Sequence, residues 1–212
     1  MSIKTLYYKI KRKALGIFGD IKLLPFPPYI YYQKGDYYKA SGADTLEAMS
    51  ILQPGDIVLR DYDDYLDGKF IPKVKFSHAG IYVGNNLIIH AVTEGVVFTN
   101  TADFFRCDRF GIMRPNVAGD AETTKKAIEY ALARVHSWLG LQYDINFKPD
   151  NDMLYCFEVA AEAYRETLNI QKVQPGGLAK FFKVAPKYLD TSFLYNANLE
   201  MVLTAGHFKP AK

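Results

Sequence analysis

Cysteine is scarce in this chain, with only Cys107 and Cys156 among 212 residues. Two thiols cannot make the framework that staples small secreted domains, and their scarcity fits a reducing compartment. Long apolar runs are also missing. No stretch approaches the ~20 residues of a membrane-spanning helix, and lysines interrupt the N-terminal apolar residues where a signal peptide would be continuous. A cytoplasmic location is therefore expected, with delivery to an envelope or within a larger particle left open. Strong charge of one sign is lacking too: the net charge is +3, which leaves no footprint for nucleic acid in the total. Internal repeats and low-complexity tracts are absent.

What is present suits one globular domain with an appendage, since 49% of the residues are hydrophobic and the length supports a full core. The boundary is read at 40. Residues 1–40 form a basic helix and a Pro/Tyr-rich connector, and 41–212 form the domain. Met1 to Lys22 carries six basic residues against Asp20 alone, a local excess of +5, while the rest of the chain sums to −2. Apolar residues at Ile3, Leu6, Tyr7, Ile10, Ala14, Ile17, Phe18 and Ile21 follow a helical period, with the basic residues mostly opposite. Such helices more often dock on their own domain. The other reading is a membrane surface or an acidic protein partner, engaged through Ile3, Leu6, Ile10, Ile17 and Phe18.

Further on, Asp44 with Glu47 reads as a capping box opening a short helix to Leu52. Gln53-Pro54-Gly55-Asp56 turns into a strand at Ile57-Val58-Leu59-Arg60. Asp61 to Lys69 reads as a loop, and short strands are expected at Gly95–Phe98 and Phe110–Pro115. Asp120 caps a helix with a stripe of Ala127, Ile128, Ala131, Leu132 and Val135, ending at Gly140. A second helix starts between Asp152 and Tyr155 and runs to about Leu168, with Asn169 as its cap. The tail is expected to hold a short helix near Leu178–Phe182 and one or two strands. Several short strands in succession predict a small antiparallel sheet or barrel in an α+β domain.

The densest stretch is Phe76 to Ala91. Two apolar runs flank Gly84-Asn85-Asn86, a hairpin signal. Side chains alternate along a strand, so His78 shares a face with Gly80 and Tyr82, and His90 with Ile88. A ladder pairing even with even positions makes the two imidazoles diagonal neighbours; a bulge of one residue between them would part them. Cys156 falls in the first turn of the second helix, where free N–H groups and the positive end of the dipole favour a thiolate. Cysteine, histidine and a second polar group orienting the imidazole make the general layout for nucleophilic acyl transfer. In it Cys156 is the nucleophile, His78 the base and then acid, and His90 the residue that holds His78's tautomer. The Cys156 N–H supplies one donor to an oxyanion, and Gln142 and Tyr155 are the candidates for a second. A zinc site from the same residue types lacks a fourth ligand and any close-spaced pair, so neither metal nor cofactor is expected. Cys107, His136 and His207 read as structural.

Pro54-Gly55-Asp56-Ile57, Ser77-His78-Ala79-Gly80-Ile81-Tyr82-Val83-Gly84 and Ile89-His90-Ala91 together resemble the core of the NlpC-related papain-like cysteine hydrolases. The helix with Tyr155-Cys156-Phe157-Glu158-Val159 follows these strands instead of preceding them. That order looks like the circularly permuted, YiiX-like branch, over roughly Leu52 to Leu168. The resemblance implies a permuted papain-like fold and a thiol hydrolase or acyltransferase. Its substrate would be an amide or ester, in a cell-wall peptide or in a lipid or other acyl amide, cleaved through an acyl-enzyme. Glu158 matches an acidic residue common two places after the nucleophile, and its commoner role is to favour the helix start. Phe157 departs from the small polar residue usual in that branch. The competing reading is a non-catalytic papain-like binding or structural module in a larger assembly, docked by the N-terminal helix.

Overall fold

The hairpin that carries both histidines closes through Asn85 and Asn86, whose φ values of 52° and 58° are those of a tight left-handed turn. In the computed structural model the described residues are 6–7, 9–11, 13–14, 21–23, 30–32, 38–63, 75–146, 152–174 and 186–206. Around that turn, strand β4 (His78–Gly84) pairs antiparallel with β5 (Leu87–Val92). A register shift falls between Tyr82 and Gly84, on the turn side of both histidines. Gly80 therefore still faces His90, and the even-with-even pairing survives.

β4 lies inside a six-stranded, wholly antiparallel open sheet. Its other members are β3 (Ile57–Asp61), β6 (Gly95–Asn100), β7 (Arg109–Pro115) and β10 (Leu199–Ala205), in the order β10-β7-β3-β4-β5-β6. Before it come β1 (Ile21–Leu23) and β2 (Ile30–Tyr32), a separate two-stranded pair. Ile21, read from its period as helical, is thus in a strand, and part of the extended connector pairs with it.

Helices cover both faces of the sheet. On one face pack α3 (Ala121–Ser137) and α4 (Cys156–Ala163), with Ile57, Leu59, Ala79, Ile81, Ile89 and Ala91 beneath them. On the other lie α1 (Gly42–Ile51) and α2 (Thr101–Phe104), over Val58, Tyr82, Ile88 and Ile112. A short α5 (Asp190–Leu194) leads toward β10, and a parallel pair, β8 (Gln142–Tyr143) with β9 (Met153–Leu154), precedes α4.

The caps explain the helix starts. Asp120 accepts from Thr123 N at 2.7 Å, as its position predicts. In α1 the box is one turn earlier than expected: Ser41 is the cap and Asp44 its reciprocal partner, because Ser41 Oγ can accept from Asp44 N. α4 stops at Ala163, short of Leu168, and is buried on nearly every side, Glu162 being the part-exposed exception. The Leu178–Phe182 helix and His207 lie outside the described residues.

Candidate active site

His78 Nε2 and His90 Nδ1 stand 2.7 Å apart. Strand alternation sends both rings to the face of Tyr82 and Ile88, where Phe104 of α2 packs against each, with ring centroids at 5.9 and 5.6 Å. Arg60, directly opposite His78 in the ladder, completes the group: its guanidinium lies 4.5 Å from the Phe104 ring centre and donates to the Phe104 carbonyl at 3.2 Å. Burial, then Arg60 and His90, hold the His78 imidazole well below its ordinary range. Burial and Arg60 bring His90 down to about 3. Both rings are neutral at neutral pH.

Cys156 opens α4, with Tyr155 as the cap, so its N–H and that of Phe157 belong to the first turn, where no helix carbonyl is available. The buried sulfur lies on the Ala79 side of the sheet. It sits 3.9 Å from the Ser77 carbonyl. The N–H groups of Phe157, Ala79 and Cys156 itself and the Tyr143 hydroxyl all favour its anion. Burial outweighs these donors and pushes the thiol up to about 11. This corrects the expectation of a thiolate: the helix start supplies the donors, but desolvation wins at rest.

Two further corrections concern the neighbours. Among the described residues no hydrogen bond or ring contact joins Cys156 to either imidazole. The histidines and the thiol are on opposite faces of the sheet, separated by the main chain of residues 77–79. Gln142 is exposed, and Tyr143, next to it on β8 and pointing the other way, is the side chain that reaches the sulfur. Tyr155 directs its hydroxyl to the Tyr188 N–H at 2.8 Å. Glu158 is buried beneath the helix start, where its carboxylate faces the Tyr155 N–H at 3.5 Å, and burial raises it to about 7. Phe157 points into the core and stacks on Phe193, centroids 5.9 Å apart.

Sequence reasoning missed Tyr143, Arg60 and Phe104 as neighbours of these groups. Tyr143 carried one signal, its place in Gln142-Tyr143-Asp144, a polar stretch shortly before the cysteine. Asp144, which accepts from Asn146 N at 2.9 Å, fixes the turn after it. Asp56 likewise takes the Gln53 N–H at 2.8 Å and both arms of Arg114 at 2.9 and 2.7 Å, locking the entry to β3. Cys107 is buried in the other core, where its Sγ donates to the Phe105 and Arg109 carbonyls and burial raises it to about 12.

Comparison with known proteins shows the family and the fold. The model of the permuted papain-like amidase enzymes, YaeF/YiiX, C92 family, matches residues 51–203. Among solved structures, the metalloprotein yiiX from Escherichia coli O157:H7 is similar over 72% of this chain and 97% of its own, at 20% identity and a TM-score of 0.55. No curated protein matches. That neighbour is titled a metalloprotein; among the described residues here, no three His, Cys, Asp or Glu side chains group as a metal site would require.

Proposed function

Since the chain belongs to the permuted papain-like amidase family, YaeF/YiiX type, we propose that it cleaves an amide or ester with Cys156 as nucleophile. A cysteine hydrolase in general is what the family supports. The acyl-enzyme, the roles of the residues and the substrate are this proposal's own. The observation that carries it is the setting of one sulfur: at the start of α4, among the N–H groups of Ala79 and Phe157 and beside the Tyr143 hydroxyl.

The proposed chemistry begins from a neutral thiol and a neutral imidazole. His78 can take the proton at Nδ1 only in the tautomer whose Nε2–H donates to His90 Nδ1, so His90 fixes that tautomer. Substrate entry then parts His78 from His90 and brings its ring, in that tautomer, past the start of β4 to the thiol. As Sγ bonds to the substrate carbonyl carbon, its proton passes to His78 Nδ1. The carbonyl electrons move to oxygen, held by the Cys156 N–H and the Tyr143 hydroxyl. Collapse expels the amine or alcohol, which takes the proton back from His78 and leaves a thioester. Water, or an acceptor alcohol or amine, then releases the acyl group by the same steps reversed.

A non-catalytic module is the second reading, favoured by the imidazoles and the thiol lying on opposite faces of the sheet. A panel of activated esters and N-acyl amides, assayed on the wild type, Cys156→Ala and His78→Ala, separates the two. The hydrolase reading predicts turnover in the wild type alone. Equal rates in all three, or none in any, would leave the binding module.

A further inference from the structure

Leu6, Tyr7 and Ile10 are 46, 55 and 60% exposed, and they are the apolar arc of a helix. Residues 6, 7, 9–11, 13 and 14 are helical, and this arc is left exposed. The segment is tethered instead through a polar flank: Lys11 Nζ donates to Asn146 Oδ1 at 2.8 Å and lies 5.1 Å from the Tyr7 ring centre. The usual arrangement, apolar side inward, is therefore reversed. Lys11 and Lys13 border the arc on either side by the helical period, and Lys9 and Lys13 are exposed. Residues 1–22 carry six basic side chains against one acid. An exposed apolar arc edged by lysines fits an anionic lipid surface: the apolar side chains enter the acyl boundary while the lysine stems reach back to the head groups.

We propose that this helix docks the protein on an anionic bilayer. The tether gives the docking a place relative to the thiol. Asn146 receives Lys11, its own N–H is held by Asp144, and Tyr143, which contacts the Cys156 sulfur, is three residues earlier. The helix thus meets the domain at the turn that follows Tyr143, and a docked molecule would hold that side of the domain close to the lipid surface. Described helices offer no membrane span, so attachment of this kind is peripheral.

The test is co-sedimentation of the full chain with vesicles of phosphatidylcholine, with and without phosphatidylglycerol. Binding is expected only to the anionic vesicles, and to weaken steeply with salt. Lys9→Gln with Lys13→Gln should weaken it about tenfold or more, and Leu6→Glu with Ile10→Glu should abolish it. Cys156→Ala should bind as the wild type does, so failure of docking and failure of the hydrolase reading are separate results. Equal binding to neutral and anionic vesicles, no binding, or indifference to the lysine pair would overturn the proposal. So would a stable dimer in solution that Leu6→Glu with Ile10→Glu dissolves, because a second copy would then cover the arc.

Discussion

Each face of the sheet buries one cysteine, and the two are held by different balances of donors and acceptors. On the α4 side, Cys156 is ringed by donors: N–H groups of Ala79 and Phe157 and the Tyr143 hydroxyl. On the other side, Cys107 shares its one S–H between the Phe105 and Arg109 carbonyls and receives one N–H, that of Asp61. Burial raises both, to about 11 and about 12. Desolvation alone therefore does not distinguish them. What differs is the balance of the surroundings: Cys156 has four donors against the one Ser77 carbonyl, and Cys107 two carbonyls against the one Asp61 N–H. Donors stabilise a sulfur anion or an oxyanion as it forms, and acceptors hold a thiol as a thiol. A buried cysteine reads as chemical or structural from its partners.

The sharpest way to break this comparison is to exchange the two cysteines' roles. Cys156→Ser should remove turnover by about 10⁴-fold or more, the scale seen when a nucleophile is deleted, whereas Cys107→Ser should leave kcat within about twofold. Steady-state assays on a responsive ester would show it. Next in size is the donor itself. Tyr143→Phe keeps the ring and removes the hydroxyl, so kcat should fall by about 10²–10³ with KM little changed. A fall in thermal stability without a fall in kcat would mean that the hydroxyl only packs.

The imidazole face can be disturbed without touching either histidine. A Cβ at position 80 would stand 2.8 Å from Ile88 Cγ2, 3.0 Å from the Ile89 carbonyl and 3.1 Å from His90 Cβ. Gly80→Ala should therefore cost about 1–3 kcal/mol, measured as a shift in denaturant midpoint, and should displace His90 from His78.

The last test is a pH slope. His90 is neutral in the fold because its pKa is down to about 3, while the unfolded chain takes up a proton near 6.5. The stability this contributes is complete above pH 6.5 and is lost as pH falls toward 3. Glu158 and Asp61, raised to about 7 and about 6 by burial, act with the opposite sign and regain stability over part of that window. The readout is thus a difference: the stability of the wild type minus that of His90→Gln should shrink steadily from pH 7 to pH 4.

Much of this arrangement was legible in the residues. The hairpin, the shared face of His78 and His90, the Asp120 cap and the helix start at Cys156 all follow from local rules of period and capping. The family resemblance supplied the permuted order, and the match over residues 51–203 bears it out. The sides of the sheet were not legible. Alternation says which residues share a face but not which helices cover it. That is why Cys156 was expected against the ring of His78 when it lies against the main chain on either side of it. Tyr143 was hidden for a related reason: β8 is two residues long and, among the described residues, pairs only with β9, so no periodicity marks which of Gln142 and Tyr143 turns inward. The N-terminal helix meets a similar limit: its period marks Leu6, Tyr7 and Ile10 as one arc, but composition cannot tell an arc that has a partner from one that has none.

The most direct test of the central claim is to trap the acyl group. The wild type would be quenched in acid during turnover of an activated ester, then digested and mapped by mass spectrometry, with Cys107 as the internal control. An acyl mass on the Cys156 peptide, removed by hydroxylamine and absent from Cys107, is the predicted result. Acylation of neither cysteine, or of both alike, would contradict it.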